Sequence, residues 1–266
     1  MQIHSTAIVA DAATLADDVE IGPYSIIGAG CVIGAGCVIG AHAVLEHRVV
    51  VGEGTKIGHG TIIGADPQSL GFDSSREDTG VRIGRRNIIR EYVTVHRATG
   101  EGADTVIGDD NFLMTGCHVG HDCVVGDRTI ITNNVLLAGH VGVGDCAVLG
   151  GGSVFHQFMR IGTYAMAGGG CRFSKDIPPF FIGTRQNRVA GINSIGIRRA
   201  GFSREARAEI RRAFGLLYLS GLNISQALEA AKSDSWGPEA ARLFGFVGEA
   251  KKRGICDYVG RGADDE

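Results

Sequence analysis

Apolar residues return at every sixth position along most of the chain. From Ile3 the step runs through Val9, Leu15, Ile21, Ile27, Ile33, Ile39, Leu45, Val51, Ile57 and Ile63. It resumes at Ile83, Ile89 and Val95. A third run passes from Ile107 through Leu113, Val119, Val125, Ile131, Leu137, Val143, Leu149, Phe155, Ile161 and Ala167. This spacing fits neither a helix nor a heptad coiled coil. It does contain the strand period of two, so each short strand can aim one side chain inward at the same place. The pattern predicts an all-β architecture, a parallel β-helix in which each hexad makes one flat side and a corner. With three hexads per coil, residues 18 apart stack at the inter-strand spacing of about 4.8 Å.

Two stretches interrupt the step. Residues 65–81 (ADPQSLGFDSSREDTGV) and 97–106 (RATGEGADTV) carry the Pro, Ser, Asp and Gly of loops. Each is expected to leave the coil at a corner and cover a neighbouring surface. Val95 and Ile107 keep the phase, so the second loop is read as replacing one hexad. The step fades after Ala167, and the prolines of Asp176-Ile177-Pro178-Pro179 remove two ladder donors. The expected organisation is a β-helix over 1–182, an irregular connection over 183–200 and a small C-terminal α-helical domain over 201–266. In that domain Ser203 caps a helix over 204–220 that stops at Gly221, with Ile210, Phe214 and Leu217 on one face. A short helix follows near 225–232, and Pro238 opens a third that runs to about Arg253.

Composition narrows the class. Gly is 42 of 266 residues, about twice ordinary usage, which suggests tight corners needing positive φ. There is no apolar stretch long enough to span a bilayer and no basic-then-apolar leader, so a cytoplasmic protein without stable membrane insertion is expected. Charge is uneven. Residues 1–171 hold 10 Lys/Arg against 18 Asp/Glu, while residues 172–221 hold 10 against 3. The second stretch reads as a solvated helix face or as a dock for an anionic partner. Nucleic acid is disfavoured because no binding motif accompanies it. The seven Cys are odd in number and form no CxxC, so they read as small buried hydrophobes.

Candidate chemistry lies in the third run, at Cys117-His118-Val119-Gly120-His121-Asp122-Cys123. Val119 points inward, which leaves His118 and His121 outside. His140 stands 18 beyond Asp122, and His156 stands 16 further on, so at least three imidazoles are expected along one outer edge. Imidazole suits a general base near neutral pH, and Asp122 can orient it. Gly139 lets the backbone approach a substrate and is a candidate oxyanion donor. No G-x-S-x-G occurs, so direct acyl transfer fits better than a covalent acyl-enzyme. A zinc site like that of the hexapeptide carbonic anhydrases finds only part of its spacing. His121 and His156 match one interval, but position 161 is Ile. No metal and no cofactor are expected.

The stretches IREYVTVHRAT (89–99), DNFLMTGCHVGHDCVVGD (110–127), NNVLLAGHVGVGD (133–145), GGSVFHQF (151–158), KDIPPF (175–180) and RRAGFSRE (198–205) resemble the UDP-N-acetylglucosamine acyltransferases of lipid A biosynthesis. The resemblance spans nearly the whole chain. It implies a left-handed parallel β-helix and a homotrimer with active sites between subunits. It also implies transfer of an (R)-3-hydroxyacyl chain from acyl carrier protein to the 3-position of UDP-N-acetylglucosamine. By position, His121 matches the general base, Asp122 its partner and Gly139 the oxyanion donor. His118, His140, His156 and Gln157 match substrate contacts, and His96 matches a residue near the sugar-nucleotide cleft. Gln68 and Leu70 match contacts from the first loop. Asn193 and Arg199 match groups near the uridine-diphosphate end. Gly169 matches the position that limits acyl length, and its lack of bulk implies a long chain.

Three departures bear on the acceptor. Where the family's first loop commonly has Asp and Lys, this chain has Ser69 and Gly71, and Arg76 is a possible substitute for the lost cation. Residues 183–191 are one residue short and lack the common His or Asp-Arg pattern, which leaves Arg185 or Arg188 for the phosphates. The paired Arg before GFSRE becomes Arg199-Ala200. An N-acyltransferase acting on a 3-amino UDP-sugar therefore stands as the alternative.

Overall fold

The computed structural model describes residues 1–260. Short strands, most of two residues, stack into three parallel walls. The first wall begins with Gln2–Ile3 and Glu20–Ile21, the second with Ile8–Val9 and Ile26–Ile27, and the third with Thr14–Leu15 and Val32–Ile33. Pairing runs in steps of 18 on every wall: Ile3 lies opposite Ile21, Val9 opposite Ile27 and Leu15 opposite Ile33. The hexad residues point inward as expected. Ile21, Ile27, Ile33, Leu137 and Leu149 are among the many that are buried in one continuous core. Cys31, Cys37, Cys117 and Cys123 are buried with them. Burial pushes the Cys117 thiol up to about 11 and that of Cys123 up to about 12.

Both loops leave from one corner, between the second and third walls. The first lies between strands Ile62–Ala65 and Gly80–Ile83, the second between Thr94–His96 and Asp104–Ile107. Across the first loop Val51 pairs with Ile83, 32 residues on instead of 18. Across the second, Ile83 pairs with Ile107, 24 residues on. The second loop therefore adds a hexad's length at the corner and replaces no wall strand, because the wall order continues unbroken on either side of it.

The glycines serve the expected purpose at corners such as Gly30 (72°), Gly36 (66°) and Gly54 (68°), and a second purpose besides. Many positive-φ corners carry ordinary residues, among them Asp122 (58°), His140 (60°) and Phe158 (65°). The demand for Gly is often close approach between coils. A Cβ on Gly58 would lie 2.5 Å from the carbonyl carbon of Arg90, where no side chain fits.

Residues 183–200 are not irregular. Phe181–Thr184 extends the first wall, and Arg188–Ile192 folds back on it antiparallel. Pro178 and Pro179 forfeit donors only at their own positions, so the chain rejoins the ladder two residues later. Helix α1 (Ser194–Arg199) follows, capped by the Asn193 side chain, which accepts from Gly196 N. Helices α2 (Arg204–Tyr218), α3 (Ile224–Ala231) and α4 (Pro238–Gly248) complete the small domain. Ser203 caps α2, Asn223 and Gln226 form a capping box on α3, and Pro238 sits in the first turn of α4. Helix α4 stops at Gly248, short of Arg253, and Asp257–Tyr258 returns to pair with Arg188 and Val189. The helical part seals the end of the coil. Phe181, Phe214, Tyr218 and Tyr258 form a ring cluster there. Arg160 donates to Asp176 at 2.8 Å and to Phe246 O at 2.8 Å, with its guanidinium over the Phe246 ring. Residues 261–266, placed in the helical domain on sequence grounds, lie outside the described residues.

Candidate active site

The corner that carries both loops also carries the histidines. One coil above the second loop, the chain turns from strand His118–Val119 to strand Val124–Val125, and His121 and Asp122 form that turn. One coil further, Gly139 and His140 occupy the same places, and beyond them Gln157 and Phe158. Stepping 18 from His140 thus reaches Phe158 and not His156. The Phe158 ring stacks on His140 at 4.3 Å between centroids, and His140 meets His121 edge-on at 5.1 Å.

Two of the three catalytic candidates, His121 and Asp122, are joined directly. Nδ1 of His121 is 2.7 Å from Asp122 Oδ2. This fixes the proton on Nδ1 and leaves Nε2 free to accept one. Asp122 is itself tied down by the second loop. Thr99 Oγ1 donates to Oδ2 at 2.6 Å, and Thr99 N donates to the carboxylate at 3.1 Å. Burial tends to raise the Asp122 pKa, but the bonds from Thr99 and His121 outweigh it and hold the carboxyl below its ordinary value. His140 Nε2 lies 3.5 Å from the same Oδ2.

Gly139 lies against the His121 ring. A Cβ there would sit 2.4 Å from His121 Cε1 and 2.5 Å from Nε2. The ladder engages the N–H groups on either side: Ala138 N donates to Phe155 O, and His140 N to His121 O. Among the described residues the Gly139 N–H has no acceptor, so one backbone donor is left beside the imidazole.

A second pair stands on the adjacent wall. His118 Nδ1 is 2.8 Å from Thr94 Oγ1, and its ring meets His96 edge-on at 5.0 Å. Burial lowers the His118 pKa to about 4, and it lowers that of His96 as well, so both are neutral at neutral pH. Among the described residues Nδ1 of His96 is buried without a partner. His156 and Gln157 line an apolar groove of about 420 Å³ with Val154, Phe173 and Arg172. His156 also meets Gln157 O and the side chain of Arg253.

The other candidates lie elsewhere on the chain. Gln68 and Leu70 are exposed on the first loop, and nothing lies within 4 Å of a Cβ built at Gly71. Arg76 grips Asp78 through two nitrogens and donates to Thr99 O. Gly169 is at the opposite edge of the second wall, between strands Met166–Ala167 and Arg172–Phe173. Asn193 is buried, its amide engaged as the α1 cap and with Tyr164 O, while Arg199 is exposed at the end of α1. Arg185 and Arg188 flank an open cavity with Lys175, Asn187 and Asp257. Among the described residues, His121, Asp122 and His140 form the one group compact enough to offer three ligands to a metal ion. Asp122 Oδ2 is already bonded to Thr99 and His121.

Sequence reasoning missed Thr99, Thr94 and Phe158. Phe158 was within reach of the 18-residue step. The two threonines act from a loop root and a wall, where no periodic signal singles them out.

A three-walled coil with a His-Asp pair at one corner and a helical end piece defines a hexapeptide-repeat transferase. A model of the six-repeat bacterial transferase hexapeptide matches residues 30–65 and 104–139. A model of UDP-N-acetylglucosamine O-acyltransferase domain 2 matches residues 176–256. The chain is 50% identical to the acyl-[acyl-carrier-protein]–UDP-N-acetylglucosamine O-acyltransferase of Trichlorobacter lovleyi, covering 96% of this chain and 99% of that one. It is 55% identical to the Chlorobaculum tepidum protein of the same name, over 92% and 93% of the two chains. The solved UDP-N-acetylglucosamine acyltransferase of Francisella novicida superposes with a TM-score of 0.91 at 33% identity, covering 98% and 95%. The chain belongs to the acyl-[acyl-carrier-protein]–UDP-N-acetylglucosamine O-acyltransferase family, and its fold is the left-handed parallel β-helix of that family.

Proposed function

We propose that this protein transfers a 3-hydroxyacyl chain from acyl carrier protein to the 3-hydroxyl of UDP-N-acetylglucosamine, with His121 as general base. The reaction is the first step of lipid A assembly. Nε2 of His121 takes the proton of the attacking hydroxyl, and Asp122 stabilises the imidazolium that forms. The hydroxyl oxygen attacks the thioester carbon, and the Gly139 N–H receives the charge that develops on the carbonyl oxygen. The proton returns to the departing thiolate. The observation that carries this reading is the 2.7 Å His121–Asp122 bond set directly beneath an unengaged backbone N–H.

A homotrimer completes the site in this account. His121 and Gly169 lie at opposite edges of the second wall, and a neighbouring copy is what brings such edges together. Apolar residues exposed on the outer faces, such as Ile88, Ile130, Leu136, Val154 and Met166, fit that arrangement. Exposed arginines at the helical end, including Arg198, Arg199, Arg204 and Arg211, offer the carrier protein a basic face.

The test is transfer from hydroxyacyl carrier protein to UDP-N-acetylglucosamine, with the 3-amino analogue in competition. Preferential ester formation supports this reading. Preference for the amine favours the N-acyl alternative, which the missing Lys at Gly71 and the Arg199-Ala200 pair keep open.

A further inference from the structure

The catalytic corner is held in place from outside the coil. Thr99 stands at the root of the second loop, and both its hydroxyl and its N–H donate to Asp122. Its carbonyl is held in turn. Arg76 of the first loop donates to Thr99 O at 3.1 Å while its other nitrogens grip Asp78, and Asp78 accepts from Gly102 N at 2.8 Å. The first loop is anchored by Arg97, whose guanidinium is buried. Arg97 donates to Asp66 at 2.9 and 2.6 Å and to Ser74 O at 3.3 Å, bonds Arg76 O, and faces the Phe72 ring. An Arg this deeply buried is costly unless every donor is engaged, so the loop closes around it as a fixed strut. The two loops thus form a chain of contacts from Arg97 through Arg76 to Thr99, which ends on the carboxylate that orients His121.

We propose that Thr99 is a positioning residue for acyl transfer, holding the Asp122 carboxylate in the plane that presents Nε2 of His121 to the acceptor hydroxyl. The proposal rests on the general-base reading of His121. Thr99 touches no reacting atom and acts through Asp122. Its hydroxyl shares Oδ2 with the imidazole, so removing it leaves the carboxylate held from the loop by the Thr99 and Gly100 N–H groups alone and makes that oxygen a stronger partner for the imidazolium.

The test compares Thr99→Val and Thr99→Ser in the full-length protein. Val keeps the shape and the backbone N–H but removes the hydroxyl. It should lower kcat about tenfold, as expected for a lost hydrogen bond to a charged group, with KM within about twofold. The acidic limb of its pH–kcat profile should move to higher pH. Ser should restore both kcat and the profile. A Val variant with wild-type kcat and profile overturns the proposal. So does a loss that Ser does not restore, that follows a lowered Tm and that leaves the profile unmoved, since that is a purely structural role. His121→Ala in the same assay separates the two layers. If it is inactive while Thr99→Val is unaffected, only the Thr99 proposal fails; if it is fully active, the base assignment fails first.

Discussion

Two corners of the same coil have the same backbone and opposite uses. At the corner between the third and first walls, Asp109, Asp127 and Asp145 stack one coil apart. Each carboxylate reaches back to cap a backbone N–H of the preceding coil: Asp109 takes Arg85 N at 2.7 Å, Asp127 takes Asp109 N at 2.8 Å, and Asp145 takes Asp127 N at 3.0 Å. At the corner between the second and third walls, the equivalent places hold His121, Gly139 and Gln157. Gly139 has no side chain to cap anything, and the vacated space takes the His121 ring. The Gly139 N–H, whose counterparts at Asp109 and Asp127 are capped, has no acceptor among the described residues. The difference teaches how a repetitive scaffold acquires a reactive site. It omits the side chain at Gly139, whose space the His121 ring takes, and it sets Gln157 instead of an Asp where a cap for the Gly139 N–H would come from.

The sharpest way to break this comparison is to remove the base. His121→Ala should reduce the transfer rate by roughly 10²–10⁴-fold with an unchanged circular dichroism spectrum, the range for a general base. Next comes the conversion of one corner into the other. Gly139→Ala places a methyl inside contact distance of the ring, and Gly139→Asp builds the capping row. Both should cost about 10²-fold or more in kcat through the displaced base. A Gly139→Ala enzyme within about threefold of wild type would show that the close approach is irrelevant.

A smaller effect concerns pH. The folded pKa of His118 is about 4, below the unfolded value, and that of His96 is lowered in the same direction. The unfolded chain therefore binds more protons in this window. Stability is fully present above the unfolded pKa, near 6.5, and is lost as pH falls toward about 4. Urea midpoints measured across this range should decline toward acid, and His118→Gln should flatten the slope. The smallest effect belongs to the structural corner. Asp127→Ala removes one backbone cap and should lower stability by about 1 kcal/mol while leaving the transfer rate unchanged. A tenfold loss of rate in that variant would erase the functional distinction between the corners.

The repeat was legible because a period of six and a coil of three hexads turn sequence distance into spatial position. That arithmetic set Asp122 beneath His140. It was misapplied at His156, which stands two residues short of a full coil and lies on the groove side, while Phe158 takes the stacking place. Thr99 escaped because the path of a loop is set by side-chain bonds such as those of Arg97 and Arg76, and no period governs those. The hairpin at 181–192 escaped because two adjacent prolines signal an end, yet they disable only their own two donors. Asn193 could be matched by position, but only the coordinates show its amide occupied in capping α1.

The most direct test of the central claim is the position of the acceptor sugar in a complex with UDP-N-acetylglucosamine. The account predicts the reacting hydroxyl within about 2.6–3.2 Å of His121 Nε2, on the side of the ring that faces the Gly139 N–H. A bound acceptor whose hydroxyls all lie beyond reach of His121, directly or through one water, would contradict it.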